Sequence, residues 1–70
     1  MDVTVSNKIN QYRLKGGLTQ EELAVAVGVT RQTIISIEKG NYTPSVALAL
    51  KFADVFKIKV EDIFSLQYEK

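Results

Sequence analysis

The chain has no cysteine, no histidine and no tryptophan, and a single proline among its 70 residues. Without cysteine there are no disulfides, thiolate zinc sites or thiol catalysis. Without histidine the commonest general base and metal ligand is missing. These absences speak against an enzyme and lead to the expectation of no metal and no cofactor. Long hydrophobic runs are also lacking: the longest, residues 23–29, is far short of the about 20 residues that span a bilayer. With no basic, then apolar, N-terminal stretch resembling a signal peptide, a soluble cytoplasmic protein without membrane contact is expected. An excess of charge of one sign is missing too, since nine basic and eight acidic residues leave a net charge of +1. A non-specific nucleic-acid binder is normally far more basic. Any such function must therefore rest on where the charges point.

What is present is ordinary globular material, 46% hydrophobic and 24% charged. Its length allows one domain, residues 1–70, burying about 60% of its unfolded surface. Pro44 and the glycines at 16–17, 28 and 40 cut it into helix-sized segments. The first helix is expected from Ser6, as cap, to Lys15. Thr19-Gln20-Glu21-Glu22 is a capping box opening a second helix, which carries Leu23, Ala24 and Val27 and stops at Gly28. Thr30 can cap a third helix running to Lys39. Pro44, near a first helical position, opens a fourth that continues to about Phe56. A short turn of helix spans Val60 to Phe64. Segments 2–5 and 65–69 alternate in the manner of short strands, with frayed tails as the plainer alternative.

The informative stretch is 19–39. Two short helices lie across the Gly28-Val29-Thr30 turn, the build of a helix-turn-helix, whose second helix enters the DNA major groove. At about 100° per residue, Arg31, Gln32, Ile35, Ser36 and Lys39 share one arc of the third helix. Ile34 and Ile37 lie on the opposite arc, where they can pack against Leu23, Ala24 and Val27. The polar arc offers Arg and Gln, side chains suited to bidentate reading of guanine and adenine. On the wheel alone, the solvated face of an ordinary amphipathic helix is the simpler reading; the turn spacing and capping shift the balance to recognition.

Arg13 through Phe64 resembles the Cro/phage-repressor-type helix-turn-helix family, also called the xenobiotic-response-element family. The matching pieces are residues 18–24 (LTQEELA), 28–34 (GVTRQTI), 37–40 (IEKG), 42–45 (YTPS) and 60–64 (VEDIF). The resemblance implies an all-α, five-helix, lambda-repressor-like domain, with a β-ribbon from the termini as an open addition. It implies sequence-specific binding of double-stranded operator DNA as a homodimeric transcriptional regulator, with repression as the expected sign. An antitoxin-like subunit that holds a protein partner and autoregulates is the alternative.

Residue roles follow from the same resemblance. Gln20 opens the second helix at a position that bonds phosphate and the recognition helix. Arg31, Gln32 and Ser36 occupy base-facing positions, and Thr30 and Thr33 lie near phosphates. Lys39 and Asn41 sit where the next loop meets the backbone. Arg13 and Glu38 fall at positions that form an ion pair between the first and third helices. Departures occur at Ile35, where a small polar residue is frequent and which is either a thymine-methyl contact or an exposed apolar residue of no consequence, and at Ser36, which is short for a base reader. Gly16 replaces a frequent cation, and Lys59 an oxygen-bearing cap.

The fourth helix carries more apolar surface than one core face needs. Val46, Ala49, Leu50, Ala53 and Phe56 are expected to face inward. Leu48, Phe52 and Val55, with Ile63, Leu66 and Tyr68, are expected to form a dimer surface, with intramolecular core as the plainer alternative.

Overall fold

The computed structural model describes residues 2–69; Met1 and Lys70, at the ends of the expected single domain, lie outside the described residues. Seven elements follow in order: β1 (Asp2–Asn7), α1 (Ile9–Lys15), α2 (Gln20–Val27), α3 (Arg31–Glu38), α4 (Val46–Phe56), α5 (Val60–Ile63) and β2 (Phe64–Glu69). The molecule is thus helical overall but not purely all-α. Its two strands join the chain ends in an antiparallel ribbon, with Val3 opposite Tyr68, Val5 opposite Leu66 and Asn7 opposite Phe64. Because side chains alternate across a strand, Val3, Val5, Leu66 and Tyr68 share an apolar face that runs into Phe64 at the root of the ribbon. The other face is polar: the Ser6 and Ser65 hydroxyls are 2.8 Å apart, and Gln67 Nε2 donates to Ser6 Oγ at 3.1 Å.

Local chemistry sets the helix starts. At α2 both halves of the capping box form: the Glu22 N–H donates to Thr19 Oγ1 at 3.0 Å, and the Thr19 N–H to Glu22 Oε1 at 2.9 Å. Thr30 caps α3 by accepting from the Thr33 N–H at 3.2 Å. Two expected starts need correction. Ser6 lies inside β1, and it is Asn7 Oδ1 that accepts from the Ile9 N–H, at 3.1 Å, as α1 begins. Pro44 precedes α4 altogether, because Ser45 is the cap and accepts from the Leu48 N–H at 3.1 Å. Lys59 contributes no capping oxygen at α5; the compensating bond runs from its own N–H to Asp62 Oδ2 at 3.3 Å.

The core is one cluster: Ile9 from α1, Leu23, Ala24 and Val27 from α2, Ile34 and Ile37 from α3, Leu48 and Phe52 from α4, and Ile63 from α5. Phe52 is at its centre, its ring 6.4 Å from Phe56 and 6.3 Å from Phe64. Here α4 is turned relative to expectation. Leu48 and Phe52, expected on the outside, are buried, whereas Val46 and Leu50 are 77% and 56% exposed. The physical reason is volume: at spacing i, i+4, i+8 the inward face receives Leu48, Phe52 and Phe56, the bulkier set.

Candidate nucleic-acid interface

Recognition by a helix requires that it be held rigidly while one arc stays bare, and α3 meets both conditions. Its inner face is anchored by Ile34 and Ile37, both fully buried against α2. At its entry, the left-handed Gly28 (φ 77°) ends α2, and the Val29 N–H turns back to the Ala24 carbonyl at 3.0 Å. That conformation is steeply unfavourable for residues with a Cβ, so glycine fixes the tight turn. Thr30 then starts α3 without a longer linker.

The outer arc presents Arg31, Gln32 and Lys39, all exposed, with Ile35 and Ser36 half-buried beside them. Thr30 is exposed at the helix entry, and Thr33 is half-buried next to it with the two hydroxyls 3.1 Å apart. Asn41 is exposed past the helix end, its N–H donating to the Ser36 carbonyl at 2.9 Å. These side chains lie along one helix and its two ends.

The base of α3 is fixed by polar contacts from two other helices. Arg13 Nε lies 2.7 Å from Glu38 Oε2, and Nη2 donates to Oε1 at 3.3 Å. Arg13 Nη1 reaches the Leu18 carbonyl at 2.9 Å, tying in the α1–α2 turn. Glu38 Oε1 also accepts from Asn10 Nδ2 at 3.1 Å and from Gln20 Nε2 at 3.3 Å. Burial alone would raise the Glu38 pKa. The hydrogen bonds from Arg13, Asn10 and Gln20, together with the Arg13 charge, outweigh it and hold the carboxyl below its ordinary value. The one acidic side chain of α3 is therefore ionised and neutralised, which leaves Arg31 and Lys39 as the charges this helix and its end present outward.

Three of the side chains expected to form a dimer surface do not stand where that role needs them. Leu48, Phe52 and Ile63 are core residues, at 8%, 0% and 1% exposure, because α4 turns its bulkier face inward and α5 folds over it. Val55 is half-buried; Leu66 and Tyr68, on the apolar face of the ribbon, are 56% and 63% exposed. The sequence reading missed Asn7 and Asn10. Asn10 is spaced i, i+3 from Arg13 on α1, a signal that the two share a face. Asn7 Nδ2 donates to the Ile37 carbonyl at 2.9 Å, a contact with no local signature in the sequence.

Residues 9–63 match the family model described as helix-turn-helix, and the chain belongs to that family, of the xenobiotic-response-element type. It is a DNA-binding transcriptional regulator and not an enzyme. Among its relatives, an uncharacterized HTH-type transcriptional regulator of Methanocaldococcus jannaschii is 57% identical over 60 residues, covering 86% of this chain and 91% of that one. The HTH-type transcriptional regulator YgzD of Bacillus subtilis, also uncharacterized, is 49% identical over 65 residues, with 93% and 98% covered. Among solved structures, the SOS-response transcriptional repressor LexA from Eubacterium rectale superposes with a TM-score of 0.73 at 35% identity. That superposition covers 77% of this chain and 57% of the other, so this chain spans little more than half of the solved one. Regulators, not toxin-binding subunits, are what these names describe, and the antitoxin-like alternative is not favoured. Among the described residues, no helix is long and apolar enough to cross a membrane.

Proposed function

We propose that the protein is a repressor that binds a pseudo-palindromic operator as a homodimer, with α3 of each copy lying in the major groove. Arg31 and Gln32 read base edges, Ser36 adds a short polar contact, and Ile35 meets a thymine methyl. Thr30, Thr33, Gln20, Lys39 and Asn41 contact phosphates and fix the register of the helix on the duplex. The observation that carries this reading is the two-sidedness of α3: Ile34 and Ile37 are fully buried while Arg31 and Gln32 are exposed. Repression is supported by the likeness to the SOS-response transcriptional repressor LexA.

Pairing follows from how little one helix reads. A single recognition helix contacts too few base pairs to select one site in a genome, and two-fold symmetry then sets half-sites about 34 Å apart. With Leu48, Phe52 and Ile63 in the core, the apolar surface left for pairing includes Leu66 and Tyr68 on the ribbon. Val46 and Leu50 on α4 add to it.

Selection of bound sequences from a random duplex pool tests the reading. It predicts an enriched inverted repeat with its halves about one helical turn apart. Absence of any enriched sequence would contradict base reading, and an enriched site without internal symmetry would contradict the homodimer.

A further inference from the structure

We infer that Asn7 is a positioning residue for DNA reading: a side chain remote from the proposed base-reading arc that sets the seat of the recognition helix. The inference rests on the reading of α3 as that helix. Asn7 uses both ends of its amide. Its Oδ1 accepts from the Ile9 N–H at 3.1 Å, which organises the entry to α1, and its Nδ2 donates to the Ile37 carbonyl at 2.9 Å, thirty residues away. The Ile37 carbonyl lies in the last turn of α3, where intrahelical donors run out. It also accepts from the Gly40 N–H at 2.9 Å, so its two lone pairs are taken by the helix-ending turn and by Asn7.

The other end of the tie is equally fixed. Asn7 is the last residue of β1, paired with Phe64, and the next residue along, Lys8, donates its N–H to the Ile63 carbonyl at 2.8 Å. Phe64 in turn packs beside Phe52 in the core. The root of the ribbon, the start of α1 and the C-terminal turn of α3 therefore meet at one side chain. Arg13, Asn10 and Gln20 hold Glu38, the next residue of α3, but they grip the end of its side chain. Asn7 grips the helix backbone itself. Its loss would let that end of α3 shift while Ile34 and Ile37 keep the helix in place, and base edges are read with tolerances of about 0.5 Å.

Asn7→Asp separates the two functions of the amide. Aspartate keeps the acceptor for the Ile9 N–H, a role in which it serves as well as asparagine. It removes the donor to Ile37 and sets a negative charge against a carbonyl. Asn7→Ala removes the donor and the acceptor together, without adding charge. Both variants and the wild type are measured for affinity to the selected operator and to a scrambled duplex, well below the unfolding temperature, with helix content and the Ile37 carbonyl carbon shift recorded alongside.

A loss of folded protein lowers binding to both duplexes by the same factor, so the ratio of the two affinities reports positioning alone. The expected result is a fall of about tenfold in that ratio for both variants, within the discrimination of a single base contact. The Ile37 carbonyl resonance should move, and helix content should hold. An unchanged ratio in Asn7→Ala, with the Ile37 resonance moved, overturns the inference while leaving the recognition reading intact. A wild type that does not distinguish the two duplexes overturns both.

Discussion

The Arg13 guanidinium and the Glu38 carboxylate lie 2.7 Å apart, with side chains only 10% and 8% exposed, and join the first helix to the last residue of the third. A buried pair of this kind is weak evidence for net stability, since desolvation can cancel the attraction. Its value here is geometric. The planar guanidinium holds the carboxylate at two points and the Leu18 carbonyl at a third, so the α1–α2 turn and α3 are referred to one rigid fork. It also removes an uncompensated negative charge from a helix proposed to approach phosphates.

Acid should loosen this joint. The carboxyl of Glu38 titrates lower in the folded protein than in the unfolded chain, so the folded state favours the ionised form. Its contribution is fully present above the ordinary carboxyl value of the unfolded chain and is lost as pH falls through the lower, folded one. Denaturant unfolding at steps from pH 7 to pH 3 is expected to show stability declining over that acid range. In Glu38→Gln the decline should be shallower; an equally steep decline would contradict the assignment.

Substitutions on the two arcs of α3 should separate function from folding. Arg31→Ala or Gln32→Ala is expected to remove about 1–3 kcal/mol of discrimination at one base position per half-site. Stability should change by no more than about 0.5 kcal/mol, since both side chains are exposed. Ile34→Ala or Ile37→Ala should cost about 2–5 kcal/mol, enough to unfold so small a domain. Affinity measurements on single-base operator variants, paired with urea unfolding, check both halves.

The orientation of α4 gives a sharper stability test, because two leucines two residues apart have opposite fates. Leu48→Ala should cost about 2–5 kcal/mol, whereas Leu50→Ala, at a position 56% exposed, should change the monomer's stability by less than about 0.5 kcal/mol. Unfolding midpoints of the two variants at a concentration where the chain is monomeric decide it. A larger loss for Leu50→Ala would put the other face inward.

On the ribbon, Leu66→Lys combined with Tyr68→Lys is expected to shift the proposed dimer towards monomer at micromolar concentration while helix content is kept. Both side chains sit on the exposed part of the ribbon's apolar face. Sedimentation and circular dichroism give the two readouts. An unchanged dimer mass would remove the ribbon from the pairing surface, and a wild type that stays monomeric even on DNA would remove the homodimer.

How far the sequence could be read depends on how strongly each segment marks its own phase. In α3, Ile34 and Ile37 lie opposite an arc of Arg31, Gln32, Ser36 and Lys39 that Ile35 alone interrupts, and the Ile34–Ile37 face follows. The Thr19–Glu22 box and Gly28 likewise carry their geometry locally. In α4, Ala47, Lys51 and Asp54 stand at i, i+4, i+7 and share one exposed face, so the run carries a solvent stripe, made short by having only two charges, that directs Leu48, Phe52 and Phe56 inward. The terminal strands are short enough that their alternation settles only when each finds the other far along the chain, as Val3 finds Tyr68. The Asn7–Ile37 bond is a tertiary contact, set by how the end of β1 docks against α3, and no local pattern announces it.

The central claim is that the outward arc of α3 reads DNA, and titration of the labelled protein with its selected operator, followed by backbone amide shifts, tests it most directly. The account predicts the largest changes at Arg31, Gln32, Ser36, Lys39 and Asn41, with a further change at Gln20 and little at Val46, Leu50 or Val60 beyond any effect of pairing. Changes confined to α4 and α5, with α3 unmoved at saturating operator, would contradict it.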